Sequence, residues 1–318
     1  MLQLGGGVNV LASFVDALDS ASERLGQLDG RFLLLALALH LSTLGLRALA
    51  WRGVLLAAYP GRRISAVSVG MAYAAGVALN AFMPARGGEL AKVLIARTRI
   101  SGSTVPTLAA SLTVVLVTDG LIGLVLVCGL WAFGVLPALP AVPGAGPLVL
   151  AGVAVALASA AAAIGHRLRP DAVRKLLGRA GQGISVLRQP RRYARTVLPF
   201  QLAAWAGRIG VVYLVLAAFG IHAGLATAAL VVVLNGAATL VPIPGGAGTQ
   251  QVLATYALQG AVSAGTAISF SLGMQVCVTG VNVAAGTVAL MVLFRTARPV
   301  GAVRSARALV AQRVELSR

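Results

Sequence analysis

A chain of 318 residues, 58% hydrophobic and only 11% charged against about 25% in ordinary soluble proteins, is too apolar to hide its side chains in one water-excluded core. That excludes a water-soluble globular protein. The net charge of +18 does not point to nucleic acid, because the basic residues stand between apolar runs of membrane-spanning length, where they act first on topology.

Residues 1–31 form a polar segment with Asp16, Asp19, Glu23 and Asp29 against Arg24 and Arg31, a net of −2. No basic stretch followed by a small-residue cleavage site is seen there, so no signal peptide is expected to be removed. With about 20 apolar residues needed per crossing, apolar runs follow near 32–50, 66–83, 104–133, 146–165, 196–219, 225–243 and 262–294. Two shorter helical pieces, near 88–98 and 249–260, each follow a Pro-Gly-Gly interruption and are too short to cross alone.

Charge assigns the sides. The loop 166–195 carries nine basic residues, Arg167 through Arg195, against the single Asp171, and the tail from Arg295 to Arg318 carries six arginines against Glu315. Both are expected on the cytoplasmic side. The uncharged connection 134–145 and the short link 220–224, with only His222, belong on the far side together with the N-terminus. Arg52, Arg62, Arg63, Arg97 and Arg99 bracket the first interruption and place both its ends in the cytoplasm, which reads as a re-entrant hairpin.

NAFMPARGGELAKV around Pro84, Gly87 and Gly88 is matched by ATLVPIPGGAGTQQV around Pro242, Gly245 and Gly246, all at one offset of 158 residues. The same offset carries 66–83 onto 225–243 and 104–133 onto 262–294. The expected fold is an all-α polytopic integral membrane protein with two inverted repeats, each containing a Pro-Gly-Gly re-entrant helical hairpin. Repeat 1 covers about 32–133, the linking span 146–165, the basic loop 166–195 and repeat 2 about 196–294, within one transmembrane domain, 32–295, followed by a basic tail, 296–318.

Broken backbone at membrane depth must be satisfied by protein or by water in a cavity. Pro84, Pro242 and Pro244 break the helices, and the helix that follows each break starts with N–H groups aimed at it. A helix start favours an anion, and Arg86 in the first turn with Lys92 on the helix behind it suits a phosphate head group. The first candidate set is therefore Arg86, Gly87, Gly88, Glu89 and Lys92. The second is Gly245, Gly246, Gly248, Thr249, Gln250 and Gln251, which orients polar atoms without neutralising charge. Two readings of Glu89 stand: a cap or ion pair with Arg86 or Lys92, and recognition of a cationic group or a proton.

Asp119 is the clearest charge inside a full span and needs a partner; Arg208 leads, with Arg47 and Arg86 as the others. The set reads either as a structural ion pair or as a coupling pair. Asn80, Asn235, Gln275 and Asn282 are polar members of apolar runs, suited to lining the cavity or to joining helices. Gly120, Gly123, Gly207, Gly210, Gly273, Gly280 and Gly286 are read as sites of close helix approach. Cys128 and Cys277 fit small buried hydrophobes rather than a disulfide or a metal site. The loop 166–195 has the pattern of an interfacial segment resting on anionic lipid. No catalytic residue, metal site or cofactor is indicated: there is no Walker loop, HExxH or GxSxG, and His40, His166 and His222 lack ligand spacing. A transporter that is neither an enzyme nor an ATP-driven pump is the expectation.

NAFMPARGGELAKVLIART and NGAATLVPIPGGAGTQQVLATYAL resemble the paired signature segments of the lysylphosphatidylglycerol synthase transmembrane-region family, with similarity from about residue 30 to 295. The resemblance implies a flippase-like membrane protein of the cytoplasmic membrane with re-entrant helices. Pro84, Arg86, Gly87, Gly88 and Glu89 would form its first signature, and Pro242, Pro244, Gly245, Gly246, Gly248 and Gln251 its second. The soluble aminoacyl-transferase module found in some relatives has no counterpart here, and Gln250–Gln251 stand where many relatives carry an acid. Synthesis of the aminoacylated lipid is thus not expected of this chain. The leading expectation is transport of an anionic or phosphate-bearing lipid, with membrane lipids as partners. The alternative is an accessory subunit or membrane-embedded transferase that works with a separate lipid-modifying transferase and transports nothing.

Overall fold

The computed structural model describes residues 28–81, 87–135, 178–238 and 248–295, and every regular element among them is helical. In chain order these are α1 (Gly30–Ala58), α2 (Ala66–Asn80), α3 (Gly87–Arg99), α4 (Val105–Ala132), a 3-10 turn (Ser185–Arg188), α5 (Pro190–Thr196), α6 (Leu198–Ala218), α7 (Leu225–Ala238), α8 (Thr249–Ala257) and α9 (Ala264–Phe294). The expected linking span 146–165 and most of the basic loop lie outside the described residues.

Local chemistry sets the helix starts. Asp29, Ser65, Thr104 and Ser263 each occupy an N-cap, and their side chains accept from the amides of Arg31, Ser68, Thr107 and Thr266. Such caps satisfy donors that no helix can satisfy for itself. Four helices are long and apolar enough to cross a membrane: Gly30–Ala58, Val105–Ala132, the continuous Pro190–Ala218 made of α5 and α6, and Ala264–Phe294. Large apolar side chains such as Leu34, Leu121, Val125 and Val276 point outward from them, as a lipid-facing surface requires. The chain is a multi-pass membrane protein.

Two of the seven apolar runs are shorter helices than a span needs. α2 has 15 residues and α7 has 14, which at 1.5 Å per residue gives about 21–23 Å against a hydrocarbon core of about 30 Å. At the end of α2 the Asn80 side chain accepts from the Gly88 amide at 2.8 Å. α3 then runs back along α2, so that Gly88 lies on Gly76 and Asn80, and Lys92 on Gly76. A Cβ at Gly88 would overlap the Gly76 carbonyl, which explains glycine at both positions.

Small residues bring the long helices together. Gly53 of α1 meets the Thr196 carbonyl, Gly207 and Gly210 of α6 meet Thr43 and Leu39, Gly123 meets Trp205, Gly273 meets Phe219, and Gly286 of α9 meets Ala74 and Ala78 of α2. Gly120 and Gly280 depart from the expectation: open space surrounds the place of their Cβ atoms, because both face away from neighbouring helices. The cysteines depart as well. Both are free thiols, Cys128 exposed and Cys277 half-buried, because they lie on outward faces of α4 and α9.

The order long helix, two short helices, long helix occurs twice, and so do its packing pairs. α1 packs on α2 as α6 does on α7; α2 on α3 as α7 on α8; α3 on α4 as α8 on α9. Across the halves, α2 packs on α9 and α7 on α4.

The two ends of the bundle differ in charge. At one end Tyr59 Oη accepts from the Thr104 amide at 3.2 Å, and Arg99 donates to the Leu293 carbonyl, joining the ends of α1, α3 and α9 to the start of α4. Arg62, Arg63, Arg97, Arg99, Arg192 and Arg295 stand at this end. At the other end the Asp29 amide donates to Ala218 at 3.2 Å, and Val135, Ile221 and Leu258 join one apolar cluster. α2 starts and α3 ends at the basic end, whereas α7 starts and α8 ends at the opposite one.

The described part of the basic loop is docked. Gln182 donates to the Ala58 carbonyl at 2.8 Å and Arg192 to Leu56 at 2.9 Å, supplying partners to the orphan carbonyls of the last turn of α1. Val186 is fully buried and Tyr193 bonds Thr118 at 2.7 Å. Arg179, Arg188, Arg191 and Arg195 remain exposed on this segment, so the interfacial pattern applies to those four and not to Arg192.

Candidate functional site

Three ionisable residues far from helix ends, one each on α1, α4 and α6, meet inside the bundle. Asp119 stands near the middle of α4, about 20 Å from either end at 1.5 Å per residue. Arg47 reaches it from α1 and Arg208 from α6. Arg47 Nη2 donates to Asp119 Oδ2 at 2.8 Å, and Arg208 Nη2 donates to Asp119 Oδ1 at 3.1 Å. One carboxylate thus holds two guanidinium groups, one on each oxygen. The three side chains are 19%, 15% and 25% exposed for Arg47, Asp119 and Arg208, so the cluster is mostly buried but retains open surface. Nε of both arginines finds no acceptor among the described residues.

Aromatic rings extend the cluster. The Arg208 guanidinium lies 3.8 Å from the centroid of Trp205, one turn earlier on α6. Tyr73 of α2 lies between two cations, with Lys92 Nζ 4.1 Å and the Arg47 guanidinium 5.9 Å from its centroid. A ring face attracts both cations. Lys92 is only 3% exposed and donates to Glu89 Oε1 at 2.8 Å. Asn80 donates to the same oxygen at 3.3 Å. Glu89 is therefore the counter-ion of Lys92, and Asn80 ties the start of α3 to the end of α2. The two ion-pair sets form one connected group of three cations and two anions, which carries a net charge of +1.

Further polar contacts join helices across the two halves and within the second. His40 of α1 and Asn282 of α9 are 2.8 Å apart. Gln201 of α6 is fully buried and donates to the Val115 carbonyl of α4 at 2.8 Å, one turn before Asp119. In α8 the Gly248 amide donates to Gln251 Oε1 at 2.8 Å, while Gln251 Nε2 donates to Gln275 of α9 at 2.9 Å. Gln251, Val252, Thr255 and Ile268 line a groove of about 290 Å³ between α8 and α9.

Several expected site residues are placed by these facts. Gly87 opens α3, and Gly88, Glu89 and Lys92 sit inside the α2–α3 packing. Gly248 is left-handed at φ +83, with Thr249, Gln250 and Gln251 opening α8 behind it. Arg86, Pro84, Pro242, Pro244, Gly245 and Gly246 lie outside the described residues. The free helix-start amides expected at both breaks are corrected at two positions. The Gly88 amide is taken by Asn80 and the Gly248 amide by Gln251, because each break carries its own side-chain acceptor.

Sequence reasoning passed over Tyr73, Trp205 and Gln201, and dismissed His40. The signal that finds the two aromatics is their spacing: Trp205 precedes Arg208 by three residues on one helix face, and Tyr73 is a phenol inside an apolar run. Among the described residues no group of His, Cys, Asp and Glu side chains is placed to hold a metal ion.

Sequence comparison bears on this arrangement. A family model described as the lysylphosphatidylglycerol synthase TM region matches residues 4–286. No curated protein and no solved structure matches the chain. A match over most of the length makes this chain, with its four long apolar helices, a member of the lysylphosphatidylglycerol synthase transmembrane-region family.

Proposed function

We propose that the protein carries an anionic, phosphate-bearing lipid across the cytoplasmic membrane, the head group passing through the interior of the bundle while the acyl chains stay in the bilayer. The observation that carries this reading is the pair of guanidinium groups at Asp119. Charge at membrane depth is expensive and is kept where it serves a pathway. The group as a whole has one positive charge in excess, and planar guanidinium forks match phosphate oxygens two at a time. Arg86, Gly87, Gly88, Glu89 and Lys92 of the first break, and Gly245, Gly246, Gly248, Thr249, Gln250 and Gln251 of the second, would complete the path.

The recurrent packing and the two short-helix pairs, open at opposite ends of the bundle, support two inverted repeats with re-entrant hairpins. The basic end is then cytoplasmic, with the C-terminus inside and the N-terminus outside. Cysteine labelling in intact cells checks this. Single cysteines in 134–145 will react from outside and those in 166–195 only after permeabilisation, while reaction of both from the same side contradicts it.

The function is tested with purified protein in phosphatidylcholine liposomes carrying a trace of NBD-labelled phosphatidylglycerol or NBD-labelled phosphatidylcholine. Dithionite, which bleaches only the outer leaflet, will bleach well over half of the labelled phosphatidylglycerol in protein-containing vesicles and about half in empty ones. Equal bleaching in both, or faster movement of the zwitterionic lipid, overturns the reading.

A further inference from the structure

Asp119 does more than neutralise. Its two oxygens are shared between two different arginines on different helices, Arg47 at 2.8 Å and Arg208 at 3.1 Å, which is the arrangement a phosphodiester makes with its two anionic oxygens. The arginines are not fully used: Nε of each is buried without an acceptor among the described residues, and a guanidinium has five N–H donors. Lys92 behaves differently. It is 3% exposed, bonded to Glu89 and covered by Tyr73, so it is closed off, whereas Arg47 and Arg208 keep 19% and 25% of their side chains exposed.

We propose that Asp119 is an internal counter-anion: it occupies, between Arg47 and Arg208, the place that the singly charged phosphodiester of a lipid head group takes during transport. The head group displaces it on arrival, and it returns when the head group leaves. This inference rests on the transport reading above. Two guanidinium groups left bare at membrane depth would be prohibitive, so an empty carrier needs an anion of its own to reset. With the phosphodiester bound beside the displaced carboxylate, two cations face two anions and the triad is neutral. Competition also sets affinity, because ligand binding is weakened by the fraction of time the clamp is closed on Asp119.

The test uses the full chain in phosphatidylcholine nanodiscs, wild type and Asp119→Asn, titrated with short-chain phosphatidylglycerol and, separately, with inorganic phosphate. Trp205, stacked 3.8 Å from Arg208, supplies the fluorescence signal, with Trp205→Phe as the control that removes it. Asn keeps the shape but not the charge, so Asp119→Asn will bind phosphatidylglycerol at least about tenfold more tightly and translocate it at least about tenfold more slowly. Unchanged or weaker binding overturns the proposal. Equal tightening toward inorganic phosphate assigns the clamp to a free anion and overturns the lipid assignment. Should Asp119→Asn be unstable, phosphatidylglycerol must raise its Tm by more than it raises that of wild type, and a variant equally unstable with and without the lipid contradicts the proposal. Wild-type translocation with no gain of affinity in the variant removes this inference alone, whereas absence of wild-type translocation removes the transport reading beneath it.

Discussion

Asp119→Ala will lower the unfolding free energy by about 3–5 kcal/mol, the usual cost of removing one partner from a buried ion cluster. Its carboxylate is the anion bonded to both Arg47 and Arg208, so its loss leaves two guanidinium groups facing each other across the interior. The comparison that separates charge from packing is the triple variant Arg47→Met/Asp119→Leu/Arg208→Met. Replacing a whole buried cluster by apolar side chains of similar volume is commonly neutral or stabilising. Met at 208 can also lie on the Trp205 ring and Met at 47 beside Tyr73, keeping contacts that the arginines made. Unfolding in graded denaturant will place the triple variant within about 1 kcal/mol of wild type or above it. A triple variant as unstable as Asp119→Ala would mean that the cluster holds the helices in register.

Arg208→Ala and Arg47→Ala will each slow phosphatidylglycerol translocation by on the order of 10–100-fold, equivalent to about 1.5–3 kcal/mol for a hydrogen bond to a charged group. Either single variant leaves Asp119 one arginine, so the loss of stability is small beside that of Asp119→Ala. Arg208→Lys separates charge from geometry. Lysine restores the cation but not the planar fork or the stacking on Trp205, so it will recover only part of the rate. Rates come from the same dithionite assay, and a full wild-type rate in Arg208→Ala would remove that side chain from the pathway.

Much of this architecture is written in the apolar runs and their punctuation. Asp119, Arg47 and Arg208 stand out because each interrupts a run that otherwise needs no charge. Which arginine meets Asp119 is not readable, since a carboxylate has two oxygens and accepts both. The short helices are legible from the Pro-Gly-Gly breaks, but the tie between α2 and α3 is made by the Asn80 side chain reaching eight residues forward to Gly88, and such a bond has no periodic signature. The docking of Gln182 and Arg192 on the last carbonyls of α1 is equally hidden, because those carbonyls are orphaned by a helix end more than 120 residues away in sequence. Glycine was a poor guide by itself: Gly286 and Gly120 look alike in their runs, yet one lies against α2 and the other faces open space.

The central claim is that the buried charges are a route for an anionic head group and not a structural staple. The measurement that meets it most directly is phosphatidylglycerol translocation by the Arg47→Met/Asp119→Leu/Arg208→Met variant, reconstituted beside wild type after both are shown to be equally folded. The account predicts a stable protein whose vesicles bleach like empty ones. A stable triple variant that moves the lipid at the wild-type rate would contradict it.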